Sequence, residues 1–339
     1  MKVLVLKRDK LGDLLLTTPL LARLKAALPQ AETHLLANDY NAWVVAGNPH
    51  VDRVWVYRRV RHAGRVSLGA AWQWLWQSLA LRRERYDWVI VANGDESPRA
   101  IRRGLALRGK RIVARCADPS RYPGLTDPLP LNASQHEIER LLGLLVPLGV
   151  EVPGEKNAPQ FVLPAPSASF ALDWLRERKL KPGGYIVLGL GARRAKKQPS
   201  TAQVLAWSAH FKKQWDLDTV FMWTPGKSDD PLYPGDDEVA QPVLDAGAPQ
   251  IFPHRGPIPE ALGLIWSART SIFPDSGLMH FAAASPGGVL GLFAETDVSP
   301  SPAQWAPRGP RAGWLEAEKS VAELPDALVY ERGGRLLSP

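Results

Sequence analysis

Cysteine is almost missing from this 339-residue chain. Cys116 stands alone, so no intrachain disulfide can form, which fits a reducing compartment. Long hydrophobic runs are missing too. No stretch approaches the ~20 apolar residues that span a bilayer. The opening MKVLVLKRDKLGD returns to charge too soon for a secretory leader and reads as a buried strand. No His/Cys cluster has zinc-ligand spacing. Acid is scarce in one region. Between Arg53 and Arg115 fifteen lysines and arginines face only Glu84, Asp87, Asp95 and Glu96, in a chain of net charge +8. Such a basic N-terminal half suits an anionic partner (nucleic acid, a phospholipid surface or a phosphorylated substrate) or is simply a solvated arginine-rich face.

What is present is a rhythm of short apolar runs and helical patterns. KVLVLK (2–7), ETHLLAN (32–38), VDRVWVY (51–57), DWVIVAN (87–93) and KRIVAR (110–115) read as buried strands. Between them, 13–29, 67–86 and 97–109 carry helical spacing, with Pro29 ending the first. A proline-rich loop at 116–133 precedes a helix over 134–149, with Ser134 and Glu137 spaced as a capping box. A second proline-rich stretch, 151–167, marks a boundary. The rhythm then restarts: helices at 168–180, 201–215, 258–268 and 276–285, strands at 184–191, 217–223, 270–274 and 288–293. The expectation is α/β: two doubly wound, Rossmann-like domains, 1–160 and 161–339, with ligands at the C-terminal strand ends in a central cleft.

Three motifs carry chemistry. In TSIFPDSGLMHFAAAS (270–285) a strand runs into Asp275-Ser276-Gly277 and a helix carrying His280. A capped helix start with a glycine is an anion site, or only a capped helix; His280 alone reads equally as packing. In LGLGARRAKKQPS (188–200) a strand ends in Gly189 and Gly191 and passes into Arg193, Arg194, Lys196 and Lys197. This is neither Gly-x-Gly-x-x-Gly nor a phosphate loop, yet cations there suit a departing diphosphate, or form a plain basic turn. In KRDKLGDLLLTTPLLARL (7–24) Asp13 opens a helix at the top of the first strand, as a general base or as a dipole-favoured aspartate. Asp216-Leu217-Asp218 mimics a metal-binding pair but lies at a strand's start, the wrong edge for a site.

The order of Gly12-Asp13 with LLLTTPLLARLK, then GLGARRAKKQPS, then FPDSGLMHFAAAS…GLFAETD resembles glycosyltransferase family 9, the ADP-heptose:lipopolysaccharide heptosyltransferases and their relatives, over about residues 1–310. The resemblance implies a GT-B fold, with the acceptor on the N-terminal domain and a nucleotide sugar on the C-terminal one. It implies an inverting, metal-independent transfer with Asp13 as base and no cofactor beyond the ADP-sugar co-substrate. Gly191, Lys196, Lys197, Thr224, Asp275, Ser276, Gly277 and His280 match the family's donor-binding segments, and Asp230 or Asp229 stands where an acidic residue holds the ribose. Lys196 is the better match for the donor lysine, with Lys197 the alternative. Arg58, Arg59, Arg61 and Arg65 are expected to meet the phosphates or acidic sugars of a lipopolysaccharide core. The chain departs from the family at Gln198, where an aromatic is common, at SPGGVL (285–290) and at FAETD (293–297). These changes leave room for another nucleotide sugar.

Trp72 and Trp76 share a helical face and Trp74 lies elsewhere; they face lipid or acceptor, or pack inside. The expected setting is cytoplasmic, with peripheral contact at the inner membrane left open. Two rival readings remain: a nucleotide-sugar binder that has lost transfer, and a nucleic-acid protein using the basic half, for which no reading motif is present.

Overall fold

The structure, a computed structural model, describes all residues except 59–60, 63–64, 67, 153, 155–156, 192–194, 230–234, 298–300 and 338–339, and only the backbone of 61, 62, 65, 66, 68, 70 and 71. The chain divides into two compact units, Met1–Val162 and Leu163–Pro339.

In the first unit β1 (Lys2–Leu6) leads through α1 (Leu11–Leu15) and α2 (Thr18–Ala27) to β2 (Glu32–Asn38) and β3 (Arg53–Tyr57). A short antiparallel pair follows, β4 (Arg61–His62) and β5 (Arg65–Val66), then α3 (Leu68–Arg83) and β6 (Trp88–Val91). α4 (Pro98–Ala106), β7 (Arg111–Arg115), β8 (Asp127–Leu129) and α5 (Glu137–Leu142) complete it. The sheet is parallel, with order β3-β2-β1-β6-β7-β8. Val3 to Leu6 and Val89 to Ile90 are fully buried because helices cover both faces of a parallel sheet, which is why these strands read as unbroken apolar runs.

Local chemistry shifts several expected boundaries. The single helix over 13–29 is two, because Pro19 lacks an N–H and sits in the first turn of α2. At the break the Thr18 hydroxyl donates to the Leu15 carbonyl at 2.7 Å. The capping box is real but starts two residues later than Ser134. The Ile138 N–H donates to His136 Nδ1, and the His136 N–H donates to Glu139 Oε2. Beyond Leu142 the chain tightens into a 3₁₀ turn around Pro147 rather than continuing as α-helix to 149. The expected loop 116–133 contains β8, whose Pro128 is tolerated because β8 is an edge strand.

The second unit repeats the plan. α6 (Ala165–Glu177), β9 (Tyr185–Gly189), α7 (Thr201–Trp215), β10 (Asp218–Met222), α8 (Asp237–Asp245), β11 (Ile251–His254) and α9 (Ile258–Ser267) are followed by β12 (Thr270–Pro274), α10 (Gly277–Ala284), β13 (Val289–Ala294), α11 (Pro302–Trp305), β14 (Ala312–Ala317) and α12 (Asp326–Leu337). Its parallel sheet has the order β11-β10-β9-β12-β13-β14. Counted along the chain, both sheets are 3-2-1-4-5-6, the doubly wound order. Trp207 anchors the second core, fully buried, with its indole N–H donating to Asp326 Oδ1 at 2.7 Å.

Gly189 ends β9 where the buried Phe273 ring of β12 lies against its backbone, so a Cβ there would collide with the ring. Gly189→Ala is expected to destabilise the protein by about 1–3 kcal/mol, read as a lower midpoint in urea unfolding.

Candidate functional site

In each unit the strand order reverses between the first and fourth strands. Chains leaving those two strands part to opposite sides, and ligands of such sheets bind at that carboxyl edge. In the first unit the edge lies at the ends of β1 and β6. Lys7 is buried there, with Nζ 3.3 Å from Asp9 Oδ2. The Asn93 amide donates to the same oxygen at 2.7 Å. Asn38 donates to the Arg8 carbonyl at 2.7 Å and Asn41 to the Asp9 carbonyl at 3.0 Å. The loop between β1 and α1 is thus held by three asparagines. It delivers Asp13 to the first turn of α1, half-buried, its carboxylate accepting the Lys10 N–H at 3.2 Å. A carboxylate in a first helical turn is favoured by the helix dipole, and a carboxylate is a group that can take up a proton. Next to Asn93, the Gly94 N–H donates to the buried Glu137 carboxylate, and buried Arg140 reaches Asp95 at 2.8 Å.

Of the four arginines expected to meet an acceptor, Arg58 is exposed just past β3. Arg61 and Arg65 lie on the β4–β5 hairpin, where only backbone is described, and Arg59 lies outside the described residues.

In the second unit the edge lies at the ends of β9 and β12. After β9, Ala195–Lys197 form one 3₁₀ turn. Three residues per turn aim successive side chains in different directions. Lys196 Nζ lies 2.6 Å from Glu295 beyond β13, Lys197 Nζ 2.8 Å from Asp275 beyond β12, and the Gln198 amide donates at 2.6 Å to Asp236, which precedes α8. The two lysines adjacent in sequence therefore differ. Lys197 is buried against a carboxylate that is itself 10% exposed, whereas the Lys196 side chain is 62% exposed. Glu295 sits in the left-handed region, at φ 53°, which turns its side chain back toward Lys196. Asp236 is closed off by the Gln198 amide and the Thr224 N–H, and burial pushes its pKa up.

Ser276 precedes α10 in extended conformation and does not cap it with its side chain. Its hydroxyl oxygen and His280 Nδ1 are both buried without a hydrogen-bond partner among the described residues. Gly277, first in the helix, is exposed. Desolvation pushes the His280 pKa down to about 4, so the ring is neutral at pH 7. Gly191 and Thr224 end adjacent strands and face each other, with 3.9 Å between a would-be Gly191 Cβ and Thr224 Oγ1. Asp229 is exposed in a turn, and Asp230 lies outside the described residues.

The second unit thus brings Lys197, Asp275, Ser276 and Gly277 to one edge, with Gly191 and Thr224 on the neighbouring strand ends. Asp216 and Asp218 lie at the opposite end of β10, both paired with Lys212, away from this edge. Sequence reasoning missed Asp9, Asn93, Asp236 and Glu295. Asp236 had a signal, an Asp-Asp-Glu run after Gly235, typical of a helix start.

Two doubly wound parallel domains, each with polar groups gathered at its switch edge, are the domains of GT-B glycosyltransferases. Solved structures share the fold. A family 9 glycosyl transferase from Veillonella parvula superposes with TM-score 0.81 at 17% identity, covering 99% of this chain and 97% of that one. The E. coli ADP-heptose lps heptosyltransferase II gives 0.74 at 19%, covering 99% and 98%. E. coli heptosyltransferase WaaC with ADP gives 0.74 at 18%, covering 99% and 100%. No curated protein matches by sequence. The model of glycosyltransferase family 9 (heptosyltransferase) matches residues 74–323. The chain belongs to that family and is a glycosyltransferase.

Lys197→Met removes the ammonium from the buried Asp275 carboxylate, an expected loss of about 3 kcal/mol, whereas Lys196→Met costs under about 0.5 kcal/mol; chemical denaturation of both variants checks the contrast. His254, buried against Phe170 and Trp174, is also pushed down to about 4, by desolvation first. Both histidines protonate near pH 6.5 when unfolded. Stability is therefore complete above about pH 6.5 and falls as pH drops toward 4, by about 2 kcal/mol per histidine at pH 5. His280→Asn should flatten that slope in unfolding measured between pH 7.5 and 5.

Proposed function

We propose that this enzyme moves a heptose, or a related sugar, from an ADP-sugar to a lipopolysaccharide core or similar anionic glycolipid, with inversion and with no metal assigned to the step. The observation that carries the donor half is the uncapped start of α10 beside the Lys197–Asp275 pair. Its free N–H groups and positive dipole end suit a diphosphate. Lys196, exposed and with its ammonium paired to Glu295 among the described residues, swings onto that diphosphate, while Lys197 holds Asp275 toward the sugar. Gly191 and Thr224 flank the nucleotide.

Asp13 removes the proton from an acceptor hydroxyl. The freed oxygen lone pair attacks the anomeric carbon as its bond to the diphosphate breaks, and ADP departs with that electron pair. Lys196 and the α10 dipole offset the growing negative charge. One such donor contributes about 3 kcal/mol to the barrier. The excess of arginine from Arg53 to Arg115 suits the phosphates and acidic sugars of the acceptor. The family relatives named for ADP-heptose support the nucleotide.

Asp13→Asn is expected to lower kcat at least about 100-fold while leaving the thermal shift given by the ADP-sugar intact. Unchanged turnover would reject Asp13 as the base. A panel of nucleotide sugars read by thermal shift tests the donor: a UDP- or GDP-sugar giving the largest shift would replace the ADP-sugar assignment.

A further inference from the structure

One face of the early part of α3 is turned to solvent. In its second half Ser78 and Leu81 are buried against the sheet, and Gln77 donates to the Val56 carbonyl on β3 at 2.9 Å. Before that point three of its described apolar side chains lie outside. Trp72, Leu75 and Trp76 are 62%, 55% and 56% exposed, the two indoles 5.5 Å apart. Trp74, between them in sequence, turns inward instead, with the Arg103 guanidinium 4.1 Å from its ring and the Tyr57 ring beside it. One turn of the helix thus presents two indoles and a leucine to solvent.

The surroundings are cationic. From Arg53 to Arg85 the sequence holds eight arginines and one carboxylate, Glu84. That carboxylate is taken up by Lys2 and Arg53, at 2.6 and 3.0 Å, so it neutralises no charge near the indoles. Arg58, at the end of β3, and Arg83, at the end of α3, are exposed.

We propose that this turn of α3 is a membrane-docking surface that inserts Trp72, Leu75 and Trp76 among the headgroups of an anionic bilayer while the arginines meet its phosphates. Indoles carry an apolar body with one N–H and settle at the boundary between headgroup and hydrocarbon. Apolar insertion and basic attraction are each weak, and stable but reversible binding takes both. A protein partner fits less well. Two half-exposed indoles, at ~150–250 Å² of total surface each, and one leucine fall short of the ~800 Å² per side that a stable interface buries. The proposal goes beyond the transfer reaction and is tested without donor or acceptor.

The experiment is co-sedimentation of the full chain with phosphatidylcholine vesicles, with and without about one third phosphatidylglycerol. The chain is expected to pellet with the anionic vesicles, less so in high salt, and hardly with the zwitterionic ones. The triple variant W72A/L75A/W76A is expected to partition at least about tenfold less with an unchanged melting temperature, since Ala suits an exposed helix position. Brominated lipid in the anionic vesicles should quench the indole fluorescence of the unmutated protein, which checks insertion independently of the variant. Failure of the unmutated chain to bind, unchanged binding by the triple variant, or absence of quenching would each overturn the proposal. So would a dimer in sedimentation velocity that the triple variant dissolves, because the surface would then belong to a second copy.

Discussion

The contact on which the second domain's site depends is the buried pair of Lys197 and Asp275. Burying a charge is costly unless an opposite charge lies beside it, and each of these two supplies that for the other. Lys197 comes from the turn after the first strand of its sheet and Asp275 from the end of the fourth, the two strands that flank the order reversal. The pair therefore fastens both sides of the crevice that the topology opens. Its neighbours extend the hold: Lys196 reaches the segment after the fifth strand, and Gln198 the segment that follows the second. Three consecutive residues of one 3₁₀ turn and its exit tie together the loops after three other strands.

The first domain holds its corresponding edge with asparagine amides around an ion pair, Lys7 with Asp9. Asn38 and Asn41 hold the backbone carbonyls of Arg8 and Asp9, Asn93 holds the Asp9 carboxylate, and one lysine is sunk beneath them. Asp13 follows that loop, in the first turn of α1. The second domain concentrates cationic and anionic groups in fixed pairs, and the first leaves a half-exposed carboxylate on a rigid loop. That difference suits the two tasks proposed for them, holding a charged diphosphate and moving a proton.

Much of this fold was legible along the chain because parallel strands buried on both faces write themselves as unbroken apolar runs, as KVLVLK and YIVLG do. Helix α7, 201–215, matched residue for residue because Ser200 and Gln203 form its capping box. The elements that escaped notice are edge strands, short pieces and two helices, α8 with a proline inside it and the C-terminal α12. β8, β11 and β14 each have one unpaired side and less apolar sequence, and β8 and β11 carry a proline. The break between α1 and α2 was hidden by leucines at helical spacing on both sides of Thr17. At the site, Asp13 and Asp275-Ser276-Gly277 were visible as strand-to-helix junctions. The division of labour between Lys196 and Lys197 was not, since only the backbone turn separates an exposed cation from a buried one. Asp236 and Glu295 were hidden for a related reason: their importance comes from side chains some 40 to 100 positions away in sequence.

The solitary thiol has a practical corollary. Cys116 follows β7 at 3% exposure, and burial raises its pKa, so it remains a protonated, shielded group with little appetite for maleimides or iodoacetamide. The molecule thus offers a nearly silent background for site-directed labelling. A single cysteine introduced on an exposed helix turn or a strand-end loop would take a spin label or fluorophore by itself, and distances between chosen points on the two domains could be followed without first removing a native sulfhydryl.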